Sequence, residues 1–415
     1  MRHKLTRLAT LACALCAAGA RADDAGTPAF ALSGFGTVGV VHSSEDKADF
    51  TNTTAKPNGA GFSQGWSAGV DSLLAVQATG TLTTQLSVVL QVVSEQNYDN
   101  TYRPHVEWAN IKYQFTPDFN VRLGRIALPI FMMTDSRMIG YSIPWVRPPR
   151  EVYDLVPFTS NDGVDASYRM LIGPATNTFQ VTAGRTDPGF PATGGGTGSV
   201  KARDMVTLAN TFEQGFMTLR LNYGRGRVTI ADYDPLLDGF RQFSPQGAAI
   251  ADKFSATGRV ANFLGAGASY DPGNWFVLGE WGRVTTGSII GDHSGWYASA
   301  GYRLEKFTPF ITYARTRQDS RTSDPGLDVA GLPPYLAGPA LDLNAGLNSV
   351  LARKTGQGAI SIGVRWDMLR SAAFKLQYDY IRLGTDSTGV LTNIQPGFQP
   401  GGNLHVISAA VDFVF

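Results

Sequence analysis

Residues 403–415 read NLHVISAAVDFVF. From Ile407 onward every second side chain is apolar (Ile407, Ala409, Val411, Phe413 and Phe415), with Ser408 and Asp412 among the alternates. Successive side chains of a strand point to opposite faces, so this stretch is a strand with one apolar face and one that tolerates polar groups. Alternation over about ten residues with an aromatic end marks a strand that crosses a membrane within a barrel. The chain stops at Phe415, so the edge of this strand is expected to pair with the first strand, Phe30 to Val41, and close a cylinder.

The same alternation recurs upstream. Leu86, Val88, Leu90 and Val92 oppose Gln85, Ser87 and Gln91, and Ala109, Ile111, Tyr113 and Phe115 oppose Asn110, Lys112 and Gln114. Val164, Ala166 and Tyr168 oppose Asp165, Ser167 and Arg169. Trp296, Ala298, Ala300 and Tyr302 oppose Tyr297, Ser299 and Arg303, and Ile360, Ile362, Val364 and Trp366 oppose Ser361, Arg365 and Asp367. Followed to the end, the pattern predicts an all-β fold: a transmembrane antiparallel barrel of sixteen strands. Tight turns such as Thr116-Pro117-Asp118-Phe119 and Asp271-Pro272-Gly273-Asn274 alternate with long polar loops, seven short connections against eight long. A soluble sandwich or propeller would scatter its loop lengths over both ends. Aromatic residues at strand ends (Trp108, Tyr113, Tyr168, Trp281, Trp296, Trp366 and Tyr378) suit the lipid–water boundary.

The chain begins MRHKLTRLATLACALCAAGARA, with a basic start, an apolar middle and a small-residue cleavage site, so residues 1–22 are expected to be a signal peptide. Residues 23–415 would then form the barrel. Both cysteines, Cys13 and Cys16, fall in the signal, which leaves no thiol for a disulfide or a metal site. Four of the 35 basic residues (Arg2, Lys4, Arg7 and Arg21) leave with it, so 31 remain against 34 acidic groups. A net charge of −3 gives nucleic-acid binding no support. No later apolar run reaches the length of a membrane helix.

Eight strands fill their own interior, whereas sixteen leave an aqueous channel. The inward Lys, Arg, Asp, Ser and Gln side chains are therefore expected to be solvated by lumen water, which removes the cost of burying them. Residues 128–161 interrupt the pattern. They carry Pro129, Pro144, Pro148, Pro149 and Pro157 with Tyr141, Trp145 and Tyr153, which argues for a packed loop with a function of its own.

Ser33-Gly34-Phe35-Gly36, Gly124-Arg125, the stretch from Gly295 to Arg303 and the terminal Val-Asp-Phe-Val-Phe415 together resemble the Gram-negative trimeric porins of sixteen strands, over the whole mature chain. The resemblance implies an outer-membrane homotrimer, embedded in lipid, that passes small hydrophilic solutes and ions by passive diffusion without cofactor, metal or catalysis. In that family the third external loop folds into the barrel and narrows it. Here that loop would be 128–161, placing Asp135, Arg137, Arg147, Arg150, Glu151 and Asp154 opposite a basic wall of Arg122, Arg125 and Arg169. Trp145-Val-Arg-Pro-Pro-Arg150 stands where general porins have a short acidic turn. A guanidinium ring at the narrowest point would favour anions, so a substrate-selective anion channel is the alternative. The loop Glu95 to Arg103 is a candidate latch onto a neighbouring copy.

Three motifs point elsewhere on paper. Gly34-Phe-Gly36-Thr-Val-Gly39 fits a dinucleotide fingerprint, but a strand follows it where a helix is needed. Gly61-Phe-Ser63-Gln-Gly65 and Gly65-Trp-Ser67-Ala-Gly69 fit a nucleophile elbow, the basis for an outer-membrane serine hydrolase as a further alternative, yet neither has the strand–turn–helix setting. His42, His105, His293 and His405 show no ligand spacing.

Overall fold

The computed structural model describes residues 29–192, 196–243 and 245–415, so the expected signal peptide lies outside the described residues. Sixteen long antiparallel strands form one sheet closed on itself, joined at its rim by the short pieces Trp66–Ser67 and Gly189–Pro191. In chain order the long strands are β1 (Ala29–Ser43), β2 (Leu73–Thr81), β3 (Leu86–Glu95), β4 (His105–Thr116), β5 (Phe119–Ala127), β6 (Ser160–Ile172), β7 (Ala175–Thr186) and β8 (Thr197–Gln214). They continue as β9 (Met217–Ile230), β10 (Arg259–Tyr270), β11 (Trp275–Thr285), β12 (His293–Tyr302), β13 (Phe307–Gln318), β14 (Gln357–Leu369), β15 (Ala372–Leu383) and β16 (Asn403–Val414).

Each strand pairs with its sequence neighbours, and β16 closes on β1 in a register that runs from Phe35 opposite Val414 to Ser43 opposite Val406. The terminal stretch therefore does what its alternation requires. Ile407 is exposed on the outer face, whereas Ser408 and Asp412 are fully buried on the inner one. The outer face elsewhere carries Leu90, Ile111, Leu123, Leu221, Ile311 and Ile362, all more than a third exposed to what is lipid in the membrane. Tyr113, Tyr168, Trp281, Trp296, Trp366 and Tyr378 are exposed there too, as expected for interfacial anchors.

The wall is uneven. β5 has 9 residues and β8 has 18. At about 3.3 Å per residue and a tilt of about 40°, nine residues rise roughly 23 Å, just enough to cross the apolar band. The short connections lie at one end of the barrel and the long ones at the other, as the turn chemistry predicts.

Two long connections are more structured than their polar composition suggests. The 231–258 segment holds α2 (Asp234–Arg241) and α3 (Gln246–Phe254), and the 319–356 segment holds α4 (Pro334–Leu351); a four-residue α1 (Arg150–Tyr153) lies in the 128–159 loop. Leu237 with Phe240, Ile250 with Phe254, and Leu347 with Leu351 recur at three- or four-residue spacing and pack with Ile289 into a small apolar core above the barrel. Read for strands, those positions look like scattered hydrophobics in loops.

Candidate functional site: the inner loop and the space beside it

The 128–159 loop runs inside the barrel. Its prolines set its course. Pro148 and Pro149 carry no N–H and restrict the residues before them, so Trp145 to Pro149 cannot coil, and α1 begins only at Arg150. Two glycines admit the loop to close range. A Cβ on Gly140 would sit 2.0 Å from Asp412 Oδ1 of β16, and a Cβ on Gly295 of β12 would sit 2.0 Å from the Glu151 carbonyl oxygen.

On β10–β13 the loop is seated by apolar packing. Leu128, Ile130, Phe131, Ile143, Trp145, Val152 and Tyr153 form one buried core with the inward Phe263, Phe276, Tyr297 and Phe310. Polar groups inside this core are satisfied. The Trp145 indole donates to Ser299 Oγ (3.0 Å) and Thr312 Oγ1 (2.8 Å). Glu280 accepts from the hydroxyls of Tyr153 (2.6 Å) and Tyr297 (2.8 Å) and from the Met132 amide (2.7 Å).

On β14–β16 and around to β1 the seating is ionic. Arg147 donates to both oxygens of Asp71 (2.8 and 2.6 Å), to Asp379 (3.3 Å) and to Ser408 (2.7 Å), with its guanidinium 5.0 Å from the Phe50 ring centre. Lys375 pairs with Asp412 (2.8 Å) and donates to the carbonyls of Gly140 (2.5 Å) and Trp145 (2.7 Å). Arg365 reaches the carbonyls of Tyr141 and Ile143, and Gln357 donates to Glu151 (2.6 Å). Sequence reasoning left these inward charges to lumen water. Instead the loop supplies their partners, so Lys375, Asp379 and Asp412 are buried without a free lumen beside them.

Among the loop's own groups, burial works against the Arg147 charge, but the carboxylates of Asp71 and Asp379 more than offset it and hold its pKa above the ordinary value. Burial pushes Glu151 and Asp154 above the usual carboxylate range. The nearby Asp71 and Asp379 are inner-wall or near-wall anchors, and the arrangement around Arg147 is that of a clasp.

The expected basic wall does not assemble, because each of its arginines is engaged. Arg122 pairs with the buried Asp165 (2.8 Å). Arg125 makes a bidentate contact with Asp162 (2.7 and 2.8 Å), and the pair borders both the polar cavity described below and a shallow groove beside Leu123 and Arg185. Arg169 is exposed beside Asp118 (3.1 Å) in the short turn at the far end, away from the loop. Arg150 is paired with Asp154 (2.9 Å) and donates to the Val390 carbonyl, and Asp135 is exposed on the loop. Arg137 donates to the Phe158 carbonyl and faces open space.

That open space is a polar cavity of about 430 Å³ between the inner loop and the wall around β2–β4 and β7. Lys56, Glu95, His105, Glu107, Arg137 and Asp187 line it. Lys56 pairs with Glu95 (2.9 Å), and His105 stands 3.6 Å from Glu107. Of these six, only Arg137 belongs to the site expected from the sequence. Strict alternation from Ala109, Ile111 and Tyr113 would turn Glu107 outward, but the β3–β4 ladder shifts register between Gln91 and Val92, so Glu107 is buried on the inner side while Val106 is exposed. A carboxylate flanked by Val106 and Trp108 on a lipid-crossing strand is the signal that betrays such a bulge.

A closed barrel with an apolar outer band, interfacial aromatics and a loop folded inward defines a membrane channel of the porin class. The chain belongs to the Gram-negative porins: the model of that family matches residues 9–395. It is an outer-membrane porin. No curated protein matches it. Among solved structures it is similar in fold to an anion-selective porin from Comamonas acidovorans (TM-score 0.54, 12% identity, 94% of this chain and 100% of that one). It is similar to OmpF of Salmonella typhi in complex with daunomycin (TM-score 0.54, 12%, 94% and 98%), and to the trimer form of OmpT from Vibrio cholerae (TM-score 0.50, 10%, 94% and 100%).

Proposed function

We propose that this porin is a passive, weakly selective diffusion channel for small hydrophilic solutes and ions, formed by residues 23–415 after removal of 1–22, with 128–161 as the constriction. The observation that carries the proposal is the seating of the inner loop against β10–β16, which leaves a polar opening of about 430 Å³ on the opposite side. Weak selectivity follows from charge pairing. Arg147, Arg122 and Arg125 are neutralised by carboxylates, and the cation of Arg137 shares the opening with Glu107. The anion-selective alternative has less support, since a ring of free guanidinium groups is missing among the described residues. The hydrolase alternative is weaker still. Ser63 Oγ has Asp49 (2.5 Å) and Asn393 (3.1 Å) as partners and Ser67 Oγ accepts from Gly69, with no histidine to act as base on either.

A homotrimer in lipid completes the reading. The trimeric neighbour from Vibrio cholerae supports it. In planar bilayers, deletion of 134–153 should raise single-channel conductance. Unchanged conductance would refute the constriction, and crosslinking that yields monomers alone would refute the trimer.

A further inference from the structure

A second cavity, of about 360 Å³, lies on the external side of the inner loop and is apolar where the first is polar. Its wall comes from inward positions of long strands: Val200 and Ala202 on β8, Val228 and Ile230 on β9, Val284 on β11. The lumen side of a water-filled barrel is normally polar, because an apolar side chain gains nothing by facing water. Here the inward positions are apolar while the alternating Lys201, Arg227 and Arg283 are exposed, and the inner loop covers only part of the apolar surface, through Val156 and Phe158. Tyr233 and Ile290, from the structured external connections, border the same space and belong to the apolar core of α2–α4.

We propose that this chamber binds a small uncharged aromatic solute bearing one hydrogen-bonding group, of the size of a one- or two-ring alcohol. Size and chemistry both follow from the lining. A cavity of about 150 Å³ lined by aliphatic side chains already holds benzene, and ligand sites begin near 300 Å³. A charged solute is disfavoured by the apolar lining, and the ionic groups at its border already have charged or polar partners, Arg150 with Asp154 and Glu151 with Gln357, although one nitrogen of Arg150 is unpartnered. Arg225 follows Leu221 and Tyr223 on the outward face of β9. One corner is polar without being ionic in kind. There β12 and β13 bring Thr316 beside Gly295, and Thr355 Oγ1 stands 3.2 Å from His293 Nδ1. A hydroxyl seated in that corner leaves the ring against Val228, Val284 and Phe158.

The proposal rests on the barrel and its inner loop, and not on ion conduction. The test uses the full-length protein in detergent and a benzyl alcohol carrying a trifluoromethyl-diazirine, with 1-naphthol as competitor. Photolysis inserts the carbene formed on loss of dinitrogen into a neighbouring bond, and peptide mapping reads where. The expected result is labelling of the 155–158, 200–205 and 228–230 peptides that 1-naphthol suppresses. Outer-face peptides label without suppression. Met205→Trp, which fills the chamber from β8, should lower the suppressible labelling at least tenfold, and Val228→Asn should weaken competition about tenfold. Ion conductance of the same variants in bilayers stays at the parent level, which reports separately on the polar opening. Labelling confined to outer-face peptides, or suppressible labelling unchanged in both variants, overturns the chamber even if conductance is intact. A parent protein without conductance would instead count against the diffusion reading.

Discussion

Arg147→Ala removes the centre of the ionic clasp. The guanidinium makes four hydrogen bonds, three of them to carboxylate oxygens of Asp71 and Asp379, and it is almost fully buried with both partners. Deleting one member of such a group leaves the other charges uncompensated, at a cost of about 3–5 kcal/mol. At about 1.4 kcal/mol per factor of ten, the seated-to-released ratio of the 145–150 segment falls by about two to three and a half orders of magnitude. The remaining contacts, Lys375 to the Gly140 and Trp145 carbonyls and Trp145 to Ser299 and Thr312, keep the rest of the loop in place. The barrel should therefore fold and insert, while its current becomes noisy, with brief openings above the parent conductance. Single-channel recording in planar bilayers at fixed salt reads both amplitude and dwell time. Asp379→Asn keeps Arg147 paired with Asp71 and should show a much smaller effect. If Arg147→Ala gave the parent's amplitude and noise, the clasp would not be what holds this segment, and the assignment of the loop as a constriction would lose its mechanical basis.

Three further outcomes follow from single contacts. Gly295→Ala drives a methyl group against the Glu151 carbonyl, so α1 must move; overpacking of this kind costs about 1–3 kcal/mol and should lower the guanidinium midpoint of the detergent-solubilised barrel. Glu107→Gln removes a carboxylate from the polar opening and leaves Arg137 the stronger influence. A unit charge at about 8 Å in water acts with about 0.5 kcal/mol, so the anion-to-cation permeability ratio should rise about twofold, read from the reversal potential in a salt gradient. Glu151 has its pKa raised by burial, with Gln357, Arg150 and Asp379 near it. A raised folded pKa means that this carboxyl favours the folded state at low pH and that its contribution is lost as pH rises from about 4.5 through the folded value. Glu151→Gln should abolish that slope in guanidinium unfolding measured across a pH series; a mutant with the parent's slope would place the titration elsewhere.

The cylinder was legible because its rule is local. Each of Leu86, Val88 and Leu90, or Trp296, Ala298 and Ala300, reveals its face two residues at a time, and hairpin turns such as Asp271 to Asn274 fix the register between neighbours. Closure of β16 on β1 needed only the absence of any other edge. The interior was less legible for two physical reasons. A bulge reverses alternation without any change in composition, which hid Glu107. Partners brought together across the barrel, such as Arg147 with Asp71 and Asp379, are separated by 76 and 232 residues, and no periodicity connects them. The resemblance implies a lumen position for both Arg125 and Arg169; Arg125 does border the polar cavity, whereas Arg169 stands beside Asp118 in a short turn. The helices α2 and α3 escaped because a two-turn amphipathic pattern in a polar loop carries few apolar residues, and α4 because Pro334 and Pro339 and its glycines read as loop residues.

The two halves of the inner loop's seat differ in kind, and the difference bears on how a constriction keeps its dimensions. Contact with Phe263, Phe276, Tyr297 and Phe310 is apolar and non-directional: it draws the loop out of water but tolerates sliding. Such packing alone would hold a loop in the lumen without fixing where its edge stands, and the edge is what sets the width of the opening. The ionic half is directional. Arg147 reaches Asp71, Asp379 and Ser408 at once from one backbone position, and Lys375 meets two loop carbonyls and Asp412 together. Buried ion pairs of this sort add little net stability over an apolar replacement, since desolvation opposes the attraction. Their value here is geometric: a displacement of an ångström breaks several charged contacts at once, whereas the same slip across the aromatic face changes little. The noise expected of Arg147→Ala follows from this division of labour, because it removes the part that positions the loop and leaves the part that retains it.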